Sequence, residues 1–181
     1  IVDAAAEVPP VDNLSAFIEQ GADMVVFSGG KGIRGPQTTG IVAGKREYVE
    51  SIAAQHLDMH VAADVWSPAE GLIDRDHFDG VPRQGIGRSM KVGKEELVGL
   101  ISALESFVAE DQQAVQDEWS ARTDHVADRL REGGLDVRTT TPEGTSVAAE
   151  AVVSLAPVET SARELVAALR AENPRVYVGA D

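Results

Sequence analysis

Ser28-Gly29-Gly30-Lys31-Gly32-Ile33-Arg34-Gly35-Pro36-Gln37 follows directly on the apolar run Met24-Val25-Val26-Phe27. The run has strand character, and the paired glycines behind it mark its end with a turn of bare backbone. Lys31 is thereby set at the edge of a sheet, where a ligand can come close. Upstream, Ile1-Val2-Asp3-Ala4-Ala5 is a second short apolar run, read as a buried strand. Pro9 and Pro10 break the chain, and Asp12 or Asn13 suits the cap of a helix over residues 14–20 with Leu14, Phe17 and Ile18 on one face. Gly21 ends it, and residues 22–27 form the next strand. Strand, helix and strand within about thirty residues make a βαβ unit with a right-handed crossover. Both strands run the same way, so Asp3 and Lys31 lie towards the carboxyl edge of one sheet, where open α/β sheets bind ligands.

A lysine amine condenses with an aldehyde, and a carboxylate beside a pyridine nitrogen keeps that nitrogen protonated, so the ring can draw electrons from a carbanion. Asp3 facing Lys31 across a flat cofactor therefore reads as a pyridoxal 5'-phosphate site. Lys31 is the candidate catalytic, Schiff-base residue, and Asp3 the partner of the ring nitrogen. Ser28 offers a hydroxyl to the cofactor phosphate, aided by the amides of Gly29 and Gly30. The plainer alternative is a tight glycine turn with a solvated lysine, and an ordinary carboxylate at a strand end. Each short motif alone is weak, and their placement on adjoining strands strengthens both. A nucleotide-binding phosphate loop is excluded, because Gly32 follows Lys31 where a Ser or Thr is required.

Val2-Asp3-Ala4-Ala5-Ala6-Glu7, Asn13-Leu14, Gly21-Ala22-Asp23 and the stretch from Phe27 to Gln37 resemble the bacterial selenocysteine synthase (L-seryl-tRNA selenium transferase) family. The likeness is closer still to its relatives of the D-glucosaminate-6-phosphate ammonia-lyase type. Gly87-Arg88-Ser89-Met90-Lys91-Val92-Gly93-Lys94-Glu95-Glu96 continues it, as do Leu169-Arg170, Asn173-Pro174 and Val176-Tyr177-Val178. The resemblance covers most of the chain, with its motifs concentrated in residues 1–96. It implies a fold type I pyridoxal-phosphate enzyme, usually a homodimer or larger ring, with Lys31 bound to the cofactor and Asp3 on the pyridinium. Such enzymes are longer, and their first half carries the glycine-rich phosphate loop and the residue stacked on the ring. The chain is accordingly expected to be the carboxyl-terminal portion of such an enzyme.

Composition bounds the alternatives. The 181 residues contain no cysteine, which excludes disulfides, thiol nucleophiles and thiolate metal sites. No apolar run has the length of a membrane helix, and Ile1 does not open a signal peptide, so a soluble cytoplasmic protein is expected. Aromatic residues make up 4%, too few for a base-stacking surface. A net charge of −14 repels nucleic acid and anionic membranes, which disfavours a direct tRNA partner. The expected partners are a small anionic substrate bearing an amino group and a second copy of the chain. Lysines are only Lys31, Lys45, Lys91 and Lys94 against twelve arginines. An acid-rich, lysine-poor surface suits concentrated salt and points to a halophilic protein; an ordinary acidic cytosolic protein is the alternative.

Residues 40–44 read as a returning strand and 45–57 as a helix with Ile52 and Ala53 inward. His56 and His60, with Asp64 beyond, have a zinc-like spacing. No Glu follows His56 as in the metalloprotease motif, and residues 58–60 fall at the helix end, so no metal is expected. Pro68, Gly71, Gly80, Pro82, Gly85, Gly87 and Gly93 make residues 65–92 loop-rich, with one short helix around 68–73. Arg83, Arg88 and Lys91 form a basic island that either draws anions or pairs with surface acids. Arg88, in its family-like Gly-Arg-x-Met-Lys setting, and Gln37 are the candidates for substrate or phosphate.

Residues 94–131 read as one long helix, begun by Glu95 and Glu96 and ended by Gly133-Gly134, with an apolar stripe of Leu97, Leu100, Ile101, Leu104 and Val108 carried on by Val115, Trp119, Val126 and Leu130. Strands at 135–140 and 148–155, a helix at 161–171 and a strand at 176–178 then form a small α+β layer. Spacing singles out none of Arg163, Arg170 and Arg175 as a carboxylate grip. The fold expected is α/β: part of a fold type I large domain (1–92), a linking helix (93–133) and a small α+β domain (134–181). The function expected is a lyase or transferase of the β-elimination, ammonia-lyase type, with Lys31 removing the α-proton. An aminotransferase or aldolase on the same fold, or a truncated non-catalytic module, is the alternative.

Overall fold

The computed structural model describes residues 1–140, 151–154 and 160–179. The chain is mixed α/β and divides into two compact units, Ile1–Gln112 and Gln113–Asp181.

The first unit holds a three-stranded sheet of β1 (Val2–Asp3), β2 (Met24–Ser28) and β3 (Gly40–Gly44), in the order β1-β2-β3. β1 runs parallel to β2 with Asp3 opposite Val26, and the Ala4 amide extends the ladder to the Val26 carbonyl at 2.9 Å. β3 returns antiparallel along the whole of β2, from Met24↔Gly44 to Ser28↔Gly40. In the central strand Val25 and Phe27 point to one face and are buried. Helix α1 (Asn13–Glu19) supplies Leu14, Phe17 and Ile18 to that face, and the Phe17 and Phe27 rings meet at 6.4 Å between centroids. Ala4, Val8, Ile33, Leu100 and Phe107 complete the core.

Helix α2 (Arg46–Gln55) follows, with His56 at its C-cap, so His60 falls outside it. Among residues 56–93 the expected short helix is one turn, in which the Ala69 carbonyl accepts from the Leu72 and Ile73 amides, and regular geometry appears instead in 3₁₀ turns at Ala63–Val65, Arg75–His77 and Arg88–Met90. Trp66 and Phe78 meet edge to face at 6.2 Å here.

The single long helix expected over 94–131 is two helices, α3 (Lys94–Ala109) and α4 (Gln112–Glu132). Glu110 between them is extended, at φ −73° and ψ 141°. The Phe107 carbonyl accepts from the Glu110 amide at 3.4 Å and from the Gln112 side chain at 3.1 Å, and the Glu110 carboxylate accepts from Arg34 at 2.7 Å. The break falls where there is no glycine or proline, and a bond from a distant turn, Arg34 to Glu110, accompanies it. Its inward residues are Leu100, Ala103, Leu104 and Phe107, while Leu97, Val98, Ile101 and Val108 are exposed.

In the second unit β4 (Asp136–Thr139) pairs antiparallel with β5 (Ala151–Ser154), from Asp136↔Ser154 to Thr139↔Ala151. The remainder of the strand expected over 148–155 lies outside the described residues. Helix α5 (Ala162–Ala171) opens on a reciprocal cap: the Glu164 amide donates to the Ser161 hydroxyl, and the Ser161 amide donates to the Glu164 carboxylate. Residues 176–178 form no strand; the Val176 amide instead donates to the Leu169 carbonyl at 3.0 Å, and Arg170 lies 5.6 Å from the Tyr177 ring centre.

Candidate active site

The carboxyl ends of β1 and β2 lie side by side, which brings Asp3 next to the strand that carries Ser28 and leads into Lys31. Residues opposite one another on adjoining parallel strands share a face, and side chains alternate along each strand. Asp3, Val26 and Ser28 therefore lie on the face away from Val25 and Phe27. At the end of β1 the Ala5 amide donates to Asp3 Oδ1 at 3.0 Å, which turns the chain off the sheet. The turned segment runs back through buried Val8 to the loop after β2. There Gly32 packs so tightly that a Cβ would overlap the Val8 carbonyl, so only glycine fits beside Lys31.

The loop itself is closed by hydrogen bonds. The Gly29 amide donates to the Thr39 carbonyl at 2.9 Å, Gly35 to Gly29 at 2.7 Å, and Arg34 to Lys31 at 2.8 Å. Gln37 Nε2 donates to the Gly30 carbonyl at 2.8 Å. Ile33 is buried in the core, and Leu100 of α3 lies over Gly29 and Gly35. Arg34, at φ 63° in the left-handed region, sends its guanidinium to Glu110. Lys31 is thus an exposed amine on an anchored turn. Among the described residues it has no carboxylate partner, whereas Lys45 is paired with Asp23.

The structure brings Asp3, Ser28, Gly30, Lys31 and Gln37 to one sheet edge. Arg88 belongs to another cluster, where its Nε donates to Asp58 Oδ2 at 2.8 Å. The Asp58 side chain is 3% exposed and accepts also from the Gln84 amide at 3.1 Å. That amide first, and the Arg88 and His60 charges after it, hold its carboxyl below the usual range. The Arg88 side chain remains 61% exposed, so its outer nitrogens face solvent.

A third cluster has no signal in the sequence, because its members are 27 residues apart. Glu50 on α2 is buried and accepts from the Asp74 amide and from His77 Nδ1, the latter at 2.9 Å. Arg46, Ser51, Ala54 and Phe78 line a cleft of about 670 Å³ around the pair. The Asp74 amide, then the His77 bond, lower the Glu50 pKa from its ordinary 4.5; the Glu50 bond raises that of His77 from 6.5. A lowered carboxylate stabilises the fold above its unfolded value and loses that as pH falls through the folded one, whereas a raised imidazole stabilises below its unfolded value and loses that as pH rises. The pair is therefore fully effective between pH 4.5 and 6.5. In urea unfolding followed against pH, the midpoint is expected to fall above that window, and His77→Gln to flatten that alkaline limb. An identical limb in the variant would assign the pH dependence elsewhere.

Residues 6–67 match the L-seryl-tRNA selenium transferase family. The chain is also similar to D-glucosaminate-6-phosphate ammonia lyase of Salmonella typhimurium, with 36% identity over 107 residues, which is 59% of this chain and 20% of that protein. Over these stretches the chain is similar to the selenium transferases and to an ammonia lyase. A 5'-C-glycyluridine monooxygenase-decarboxylase of a Streptomyces species is 29% identical over 181 residues, 98% of this chain and 37% of that protein. The chain thus spans about a fifth and under two fifths of the length of these curated relatives, both of which are enzymes. The matched family stretch contains Ser28, Gly30, Lys31 and Gln37; Asp3 and Arg88 lie outside it.

Proposed function

We propose that this chain carries the lysine-bearing part of a pyridoxal 5'-phosphate-dependent lyase or transferase of fold type I. In this reading residues 1–92 belong to the large domain, 93–133 link it to a small one, and 134–181 form part of that small domain. The observation that supports the reading is an exposed amine, Lys31, which has no carboxylate partner among the described residues and sits on an anchored turn at the carboxyl end of β2, with the Asp3 carboxylate at the tip of the adjoining parallel strand.

The residues present fit the cofactor. Asp3 spends Oδ1 on its own turn and keeps Oδ2 to accept from a protonated ring nitrogen. Ser28, half-buried at the end of β2, has a hydroxyl to donate to a phosphate, and the peptide at Gly30 leads directly into Lys31. When bound, the cofactor supplies an electron-accepting ring that spreads the charge left by removal of a substrate proton. Lys31 takes that proton at its Nζ; Arg88, in the separate Asp58 cluster, presents exposed outer nitrogens that suit an anion. The ammonia lyase likeness favours elimination from an amino acid or amino sugar acid. Decarboxylation is the second reading, because the likeness to the decarboxylase runs over 98% of the chain.

The test is to mix the protein with pyridoxal 5'-phosphate, reduce with borohydride and map the modified peptides. The expected result is a pyridoxyl group on Lys31 in preference to Lys45, Lys91 and Lys94. Equal modification of the four lysines would remove the basis of the reading.

A further inference from the structure

The direction in which a side chain leaves the backbone is set by the two peptide planes that flank its Cα. At Lys31 both planes are held. The Lys31 carbonyl, on the far side, accepts from the Arg34 amide at 2.8 Å. The Gly30 carbonyl, on the near side, accepts from Gln37 Nε2 at 2.8 Å. One restraint is backbone and comes with the turn; the other is a side chain and depends on residue 37 being able to donate. The fit around that side chain is close: a Cβ on Gly30 would lie 2.6 Å from Gln37 Cα and 2.7 Å from its Oε1. Gln37 is itself held on the loop, because the Thr39 hydroxyl donates to the Pro36 carbonyl at 2.6 Å and Thr39 is buried.

We propose that Gln37 is a positioning residue for the Lys31 amine, fixing the Gly30–Lys31 peptide plane so that the amine leaves the turn in one direction. This rests on the reading of Lys31 as the reactive amine. Gln37→Met keeps the length and loses the donor, while Gln37→Glu when ionised sets an acceptor against the Gly30 carbonyl.

The experiment uses the 181-residue chain with pyridoxal 5'-phosphate and borohydride, and reads the ratio of label on Lys31 to label on Lys45 within one sample. Hydrogen exchange of the Arg34 amide is measured alongside, with no cofactor added. Both variants are expected to lower the label ratio and the Arg34 protection by roughly 3- to 10-fold, the equivalent of one net hydrogen bond. Protection in Gln37→Glu is expected to return as pH falls below about 4, where the protonated carboxyl can donate again. Gln37→Met is expected to show no such return, which separates the bond from general loosening. A label ratio in both variants equal to that of the unaltered chain overturns the role of Gln37 and leaves Lys31 as the reactive amine. An unaltered chain that shows no preference for Lys31 sinks both.

Discussion

Lys31→Ala is expected to abolish covalent capture of pyridoxal 5'-phosphate, leaving only the scattered labelling of Lys45, Lys91 and Lys94. Of the other amines, Lys45 is a poor competitor for a physical reason. Lys45 is bonded to Asp23, which raises its pKa and keeps it an ammonium without a free pair of electrons. Lys31 has no such partner among the described residues and stands on a turn whose carbonyls are already bonded. Loss of both nucleophile and proton acceptor from one atom is expected to cut turnover by at least about 10²- to 10⁴-fold, the usual worth of a positioned acid–base group. Lys31→Arg is the informative companion, since it retains the positive charge and cannot condense with an aldehyde. Capture in Lys31→Arg equal to that in the unaltered chain would show that the aldehyde reacts elsewhere.

The placement of Asp3 and the Lys31 turn was legible in the sequence because the segment is local. An apolar run that ends in Ser28-Gly29-Gly30-Lys31 has few structural solutions, and a crossover of this length puts Asp3 on the neighbouring strand. The inward face of α1 was equally readable, because Leu14, Phe17 and Ile18 recur at helical spacing. What the sequence hid was set by distant pairs. Arg34 meets Glu110 across 76 residues, and that contact accompanies the break between α3 and α4 in a stretch with no glycine or proline. Glu50 and His77 each look like surface residues in isolation, yet together they bury a carboxylate. The motif around Arg88 points to a ligand and gives no sign of Asp58, which engages its Nε from 30 residues earlier. The stripe expected along α3 was displaced for a related reason. Leu97 and Ile101 fit an apolar periodicity as well as Phe107 does, and only the position of the loop against the helix decides which residues turn inward.

Phe107 therefore carries the second large expectation. It is 1% exposed and shares a core cluster with Ile33, the buried residue that anchors the Lys31 turn. Phe107→Ala removes a ring from a site closed on all sides, and burial of this kind is worth about 3–5 kcal/mol. That is a large part of the roughly 5–15 kcal/mol by which a domain is stable, so the urea midpoint of the first unit is expected to fall sharply. Trp66 lies in that unit and Trp119 in the second, so fluorescence of the single-tryptophan variant Trp119→Phe reads the first unit alone. Phe107→Leu refills most of the volume and is expected to cost less than Phe107→Ala. The label on Lys31 should follow the same order, because the turn has no seat once α3 is released. An unchanged midpoint in Phe107→Ala would mean that α3 does not hold the turn in solution, and the fixed direction of the Lys31 amine would then lose its structural cause.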